Sequence, residues 1–185
     1  MTASSASTDD LDTACLTAHG AGPAHAASAG ALVAVFAGAV AHELLLMGAR
    51  AGYAIGLVEP DPGRCEEAAR RIPGLVAVTS VADQSLLGPE ADVVVTDHHR
   101  DELGVLVRDA LAASTRWVGV MGTPRHVGPH VAALRALEVP DSEIARVHRP
   151  IGLNIGSRTP AEIAISTLAG LIATRSGRPG GFHFD

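Results

Sequence analysis

Gly38 is the residue with the clearest chemical potential, because it stands between an apolar run and a helix-like segment in LVAVFAGAVAHELLLMGAR, residues 32–50. A dinucleotide-binding turn uses one glycine for the bend, a second for the approach of the pyrophosphate, and a third residue, glycine or alanine, for close helix packing. With Gly38 second, Ala41 is an acceptable third residue, but Phe36 takes the bend position, where its side chain disfavours positive φ. We predict phosphate contact at Gly38 and Ala39, where the helix starts.

Glu59 is the acidic residue that best fits a ribose contact. It ends the next apolar run, 21 residues beyond Gly38, where dinucleotide-binding proteins place a carboxylate on a ribose hydroxyl. Asp61 follows in the same turn and is a further candidate for cofactor binding. Because one glycine stands where three are expected, two interpretations stay open: a nucleotide site, or a plain junction between a strand and a helix.

Polar side chains also follow two later apolar runs, in TDHHRDE (96–102) and GTPRH (122–126). Polar groups at the carboxyl ends of parallel strands converge on the crevice where such sheets bind ligands. Histidines placed there can contact a ligand or move protons, or they can simply cap the next helix at the surface. The candidates are Thr96, His98, His99, Gly122, Thr123 and Arg125, with Arg158 as a further donor beside a later helix.

Other chemistries lack the residues that they need. His126 and His130 lie four apart without a clear third metal ligand, and HELLL at 42–46 lacks the second histidine of a zinc-protease helix. All 14 basic residues are arginine, which excludes lysine-based chemistry. The two cysteines, Cys15 and Cys65, cannot make a structural zinc site alone. We therefore predict no metal site and name no catalytic residue.

Five near-continuous apolar runs, separated by helical segments, predict a parallel sheet covered on both faces. The runs are ALVAVF (31–36), YAIGLVE (53–59), LVAVTS (75–80), ADVVVTD (91–97) and RWVGVMG (116–122). Right-handed crossovers then give a Rossmann-like, doubly wound α/β domain with strand order 3-2-1-4-5.

The last third of the chain predicts three further helices. One covers part of 124–138 and starts late or kinks at Pro129, which lacks a backbone donor. A short one lies in 140–148, with Asp141 or Ser142 as its cap.

The clearest helix of the chain follows Thr159. This residue caps it, Pro160 takes its first position, Glu162 completes a capping box and Gly177 ends it. Its apolar face must pack on the sheet, and that face comprises Ile163, Leu168, Leu171 and Ile172.

Length and charge narrow the class of protein further. The 185 residues fit a single domain, which we place at 31–177, after a disordered arm of small and polar residues at 1–30 and before a tail at 178–185. The net charge of −6 argues against a nucleic-acid partner. Neither a basic, apolar leader nor an apolar run of membrane-spanning length is present, so we expect no membrane association and a soluble, cytoplasmic protein.

The second half of the chain resembles a known family. RWVGVMGTPRH at 116–126 and VPDSEIARVHRPIGLNIGSRTPAEIAISTLAGLIATRSG at 139–177 look like the C-terminal Rossmann domain of the XdhC/CoxI family. That family shows a His-x-Pro-Ile-Gly-Leu-x-Ile-Gly loop and a Thr-Pro-x-Glu-Ile-Ala helix, which His148–Gly156 and Thr159–Ala164 match closely. The resemblance covers residues 31–177.

The resemblance implies a function. Family members are accessory proteins that mature molybdenum hydroxylases such as xanthine dehydrogenase and carbon monoxide dehydrogenase. They bind molybdenum cofactor (molybdopterin), protect it during sulfuration and help to insert it, as chaperones and not as dehydrogenases. The implied partners are the hydroxylase apoenzyme and a cysteine desulfurase, and a homodimer is also compatible. The phosphate or pyrophosphate tail of such a cofactor suits a helix N-terminus.

The ligand-facing turns depart from the family pattern. Phe36–Val40 stands where the family has Gly-Ala-Gly-His-Val, Glu59–Pro62 lacks a second acid and an arginine, and Thr96–His99 reorders a Thr-His-Asp-His turn. Gly122–Arg125 resembles a Gly-Ser-Arg turn with a threonine and an extra proline. Two other hypotheses therefore stay open: an NAD(P)-binding oxidoreductase, and a non-catalytic interaction module that kept the fold and lost the pocket.

Overall fold

Six parallel strands form one sheet across the residues that this computed structural model describes, which are 29–81, 86–123, 125 and 127–181. The strands are β1 (Ala31–Val35), β2 (Ala54–Val58), β3 (Val76–Val78), β4 (Ala91–Val95), β5 (Trp117–Val120) and β6 (Val147–His148). They lie in the order β3-β2-β1-β4-β5-β6. The Rossmann-like sheet and the order predicted for the first five strands are confirmed.

The sixth strand corrects a prediction. The sequence predicts a helix within 140–148, but that helix is a single turn, and Val147–His148 pairs in parallel with β5 instead. The predicted cap is wrong as well, because the N-cap is Pro140 in an extended conformation and not Asp141 or Ser142. The extra strand brings the segment after β6 to the carboxyl edge of the sheet, beside the end of β5.

Six helices accompany these strands in the described part of the chain. They are α1 (Ala39–Arg50), α2 (Pro62–Arg71), α3 (Leu103–Ala112), α4 (Pro129–Ala136), α5 (Asp141–Ile144) and α6 (Pro160–Arg175). Pro129 opens α4, as its missing donor requires. The capping box of α6 is confirmed: Thr159 Oγ1 accepts from the Glu162 N–H at 3.3 Å, and the Glu162 carboxylate accepts from the Thr159 N–H at 3.0 Å.

Each face of the sheet packs its own apolar core. On one face, Leu44 of α1 and Leu168 of α6 join Ala34 of β1 in a buried cluster. On the other face, Val107 of α3 packs with Val93 of β4. The β1–α1 turn and the ends of β4 and β5 therefore rest on two packed layers, which fixes the position of the candidate site.

The apolar face of α6 is confirmed in part. Leu168 and Leu171 are buried in the cluster beside α1, and Ile163 is half-buried against the same cluster. Ile172 is 37% exposed, so its predicted place against the sheet is wrong. One turn of the helix therefore faces outward where the sequence alone predicts burial.

The predicted arm at 1–30 falls almost wholly outside the described residues, as does Cys15. Its last two residues belong to the ordered domain: the Ala29 N–H donates to the Gly52 carbonyl at 3.2 Å, and the Arg175 guanidinium donates to the Ala29 carbonyl at 3.1 Å. In the part of the chain covered by the structure, no helix combines the length and apolar character that a membrane crossing requires.

Candidate functional site

The β1–α1 turn makes the sharp bend of a nucleotide-binding turn without a glycine at the bend. Phe36 has φ of 72°, so the turn adopts the positive φ that this side chain disfavours. Its ring is fully buried, and the Arg100 guanidinium lies over it, 4.9 Å from the ring centroid. The Thr96 hydroxyl contacts the carbonyl oxygens of Val35 at 3.0 Å and Phe36 at 2.8 Å. Packing and hydrogen bonds from β4 thus hold the strained residue in place.

Glu59 is completely buried, and its carboxylate is used inside the protein. One oxygen accepts from the Ala37 N–H at 2.8 Å and the other from the Asp61 N–H at 3.0 Å. Arg64 and Arg100 approach the same carboxylate at 3.5 and 3.4 Å. Glu59 therefore joins the end of β2 to the β1–α1 turn, an arrangement different from the ribose contact that the sequence suggests.

Gly38 marks an open helix start beside a cavity of about 360 Å³ between α1 and α2, here called the turn cavity. Gly38 is the N-cap of α1, with an extended backbone and no side-chain cap, and a Cβ on it would meet nothing within 4 Å. Ala39 is the first residue of the helix, and both residues are exposed. The first N–H groups of a helix have no partner within it, so this start is a donor site for an anion.

The turn cavity combines an apolar floor with charged walls. Leu45 and Leu57 belong to the buried core and line its floor. Arg64 and Arg71 line it from α2, and the Arg71 guanidinium pairs with Glu67 at 3.4 Å. An apolar surface with a few charged groups at its rim is the usual composition of a small-molecule site.

The histidines after β4 form a pair of rings in contact, tilted by 38° to each other. The ring centroids of His98 and His99 are 4.1 Å apart, and the His99 N–H donates to Asp97 at 2.9 Å. Burial lowers the pKa of His98, and the neighbouring His99 and the Arg149 guanidinium lower it further. The ring is therefore neutral at physiological pH. Arg149, which follows β6, is thus close enough to His98 for its charge to lower the pKa of that ring.

Arg149 occupies a slot between two glycines and is a residue that sequence reasoning missed. A Cβ on Gly122 would lie 2.3 Å from Arg149 Nη2, and one on Gly128 would lie 2.7 Å from Nη1. Gly122 also has φ of 153°, in the region that favours glycine. The available signal was the position of Arg149 inside the closely matching loop, but its contact with β5 depends on the unexpected sixth strand.

Other predicted site residues lie elsewhere. Arg125 is exposed, and its N–H donates to the Thr123 hydroxyl at 3.3 Å. Arg158 is also exposed, and its N–H donates to Glu162, so it belongs to the cap of α6. His126 lies outside the described residues. Within those residues, no three His, Cys, Asp or Glu side chains are grouped as a metal site requires.

The fold and these turns define a Rossmann domain with an open helix start next to a cavity. The model of the XdhC Rossmann domain matches residues 32–171. The chain belongs to the XdhC Rossmann-domain family.

Two individual proteins show the extent of this likeness. YqeB, an uncharacterized protein of Escherichia coli K12, is 36% identical over 89 residues, which are 48% of this chain and 16% of YqeB. A crystal structure from Bacillus halodurans, described as a xanthine dehydrogenase, superimposes with a TM-score of 0.60 at 22% identity, covering 80% of this chain and 45% of that one. The second likeness supports the fold. The chain thus spans less than half the length of either relative.

Proposed function

We propose that this protein is an accessory factor for the maturation of a molybdenum hydroxylase of the xanthine or carbon monoxide dehydrogenase type. In this proposal it holds molybdenum cofactor, or a related nucleotide, by its phosphate at the start of α1. The observation that carries the proposal is the exposed, uncapped Gly38–Ala39 helix start beside the turn cavity, in a chain of the XdhC Rossmann family.

The residues present fit a phosphate-bearing cofactor. The start of the twelve-residue α1 offers backbone N–H donors and the positive end of the helix dipole. Arg64 and Arg71 line the wall together with Glu43 and Glu67, so it carries both signs of charge, and Leu45 and Leu57 offer an apolar surface to a ring. A volume of about 360 Å³ lies at the lower end of the range for small-molecule sites. The cofactor supplies the molybdenum centre of the hydroxylase, whereas these residues bind and shield it.

The replacement of Gly38 by aspartate separates binding from stability. The introduced carboxylate would cap α1 and keep or raise stability by a few tenths of a kcal/mol, since the extended backbone accepts any residue. The same carboxylate would repel a phosphate from the helix start. We expect Gly38→Asp to lose at least about tenfold in affinity for molybdopterin, measured by equilibrium binding, whereas Gly38→Ser binds much more strongly than Gly38→Asp.

Arginine variants on α2 provide a matched second test. Arg64→Gln removes a charge at the cavity wall, whereas Arg70→Gln removes an exposed charge that does not line the cavity. We expect weaker binding for the first variant and near-normal binding for the second. Equal affinity of wild type and Gly38→Asp would refute binding at the start of α1, and a flat titration of the wild type with molybdopterin and its nucleotide forms would refute the cofactor proposal.

The proposed partner is the apoenzyme of the hydroxylase in the cytoplasm, with a cysteine desulfurase as a second partner and a homodimer as the working form. Family membership supports this part of the proposal. Copurification with the hydroxylase from the native host, with and without Arg125→Ala, tests it. Partner recovery by protein that binds no cofactor would favour the interaction-module hypothesis, and absence of the hydroxylase from every preparation would count against a partner role.

An NAD(P)-binding oxidoreductase is the second candidate. The observation that favours it is the bend at Phe36, which gives the turn the shape of a dinucleotide-binding turn. The internal hydrogen bonds of Glu59 weigh against it, because a ribose would have to compete with two backbone N–H donors. A rise in melting temperature with millimolar NAD or NADP would support this candidate, and an unchanged melting temperature would exclude it.

A further inference from the structure

A second cavity, of about 350 Å³, lies at the far edge of the sheet and shares no lining residue with the turn cavity. It is here called the edge cavity. Its walls come from the β5–α4 loop, the start of α4, α5 and the segment around β6. Thr123, Gly128, His130 and Arg149 are among its lining residues.

Arg149 lines this cavity, and its guanidinium packs against two glycines. Nη2 and Nε face Gly122, at 2.3 and 2.6 Å from the position of a hypothetical Cβ, and Nη1 faces Gly128. The slot restricts the plane of the guanidinium, which is the feature that permits forked binding of an oxyanion. A lysine would lack both the plane and the fork.

His130 lies beside this guanidinium and has an unused polar atom. The residue is 4% exposed, and its Nδ1 has no hydrogen-bond partner among the described residues. A Cβ on Gly128 would lie 2.4 Å from His130 Nδ1 and 2.7 Å from Arg149 Nη1, so both nitrogens pack against this glycine and lie close to each other. Buried polar atoms normally have a partner, so the unpartnered Nδ1 of a residue that lines the cavity leaves room for a hydrogen bond to a water or a bound ion.

The charge state of the pair also suits an anion. Burial lowers the pKa of His130, and the Arg149 guanidinium lowers it further, so the ring is neutral near pH 7. A neutral imidazole still offers one N–H donor. The start of α4 adds the positive end of the helix dipole but few free donors, because Pro129 has no N–H and the Val131 N–H donates to the Gly128 carbonyl at 3.0 Å. The side-chain donors that this wall offers to an oxyanion are therefore the guanidinium of Arg149 and the imidazole of His130.

We propose that the edge cavity is a phosphate-binding site, in which Arg149 is the charged donor and His130 the second donor. The site is independent of the cofactor proposal, because it shares no residue with the turn cavity. Its ligand is either inorganic phosphate or the phosphate of a monoester.

Histidine-ring NMR of the full-length, ¹⁵N-labelled protein tests this site directly. The His130 ring is assigned by comparison with His130→Gln, and inorganic phosphate, AMP and adenosine are titrated to about 50 mM, since a millimolar site then approaches saturation. We expect a saturable shift of the His130 nitrogens with phosphate, AMP or both, and none with adenosine. A shift with AMP alone identifies a monoester as the ligand, and no saturable shift with either anion overturns the proposal.

Two variants then separate Arg149 from general charge effects. Arg149→Gln should weaken phosphate binding at least about tenfold, because the forked, charge-assisted donor is lost. Arg146→Gln is the matched control: this exposed arginine pairs with Glu143 on α5 and does not line the cavity. Equal loss in both variants would show a general charge effect and overturn the site. A saturable His130 shift that survives in Gly38→Asp would separate this site from the turn cavity.

Discussion

The carboxylate of Glu59 accepts a hydrogen bond from the backbone N–H of Ala37 at 2.8 Å, across 22 residues of chain. The contact ties the end of β2 to the turn that precedes Gly38. Arg64 strengthens the same junction, because it contacts Glu59 and its guanidinium donates to the Ala37 carbonyl. The helix start is therefore held by a buried charged network and not by a glycine-rich backbone.

Removal of the Glu59 carboxylate should destabilise the protein strongly. Glu59→Ala leaves two N–H donors and two arginines without their shared acceptor, and we expect a loss of about 3 kcal/mol in the free energy of unfolding. Glu59→Gln keeps one acceptor oxygen and should lose less. Urea denaturation measures both, and Glu66→Ala on the exposed side of α2 is the control. A change in Glu59→Ala no larger than in the control would contradict the network.

The strain at Phe36 should be outweighed by the packing of its ring. Phe36→Gly relieves a positive φ, worth about 1 kcal/mol, but removes a fully buried ring, worth about 3–5 kcal/mol. We therefore expect Phe36→Gly to be less stable than wild type by about 2–4 kcal/mol and less stable than Phe36→Leu. A Phe36→Gly protein more stable than Phe36→Leu in chemical denaturation would show that backbone strain dominates.

His130 should make stability depend on pH below neutrality. The unfolded state binds a proton as the pH falls through about 6.5, whereas the lowered pKa of His130 keeps the folded ring neutral there. Its neutral form thus supports the fold above about pH 6.5, and this support is lost as the pH falls toward the folded pKa. The slope has an upper limit of about 1.4 kcal/mol per pH unit. We expect His130→Gln to flatten the decline between pH 7.5 and 5.5, and an unchanged slope would argue against a buried neutral ring.

The capping box of α6 should contribute measurably to stability. Thr159→Ala leaves the Glu162 N–H without its side-chain acceptor, and we expect a loss of about 1 kcal/mol. Thr159→Ser keeps the acceptor and serves as the control. Thermal unfolding of the three proteins checks the expectation, and equal melting temperatures would mean that solvent replaces the cap without loss.

The regular part of the fold is predictable from the sequence because it depends on local patterns. Continuous apolar strands and the handedness of crossovers are enough to give the order of the first five strands. β6 escapes such reasoning because Val147–His148 has only two residues, too few to show a period. Pro129 and Thr159 define helix starts by their own chemistry, and both starts are as predicted.

The candidate site is less predictable because its contacts are not local. The sequence correctly places Glu59 at the end of a strand. The burial of its carboxylate depends on a backbone donor in the β1–α1 turn and on two arginines. Phe36 is tolerated at the bend only because tertiary packing covers its ring. Arg149 lies beside Gly122 and Gly128 because it follows β6, the short strand that the pattern does not reveal. Arg125, the arginine favoured by the sequence, is exposed.

The slot around Arg149 has an evolutionary consequence. A side chain at Gly122 or Gly128 would occupy the space of the guanidinium, so the end of Arg149 would have to move if either glycine were enlarged. The three positions should therefore change together among related sequences, with a bulkier residue in the slot accompanied by a shorter one at 149. Their joint inheritance would be visible in an alignment even though up to 27 positions separate them along the chain.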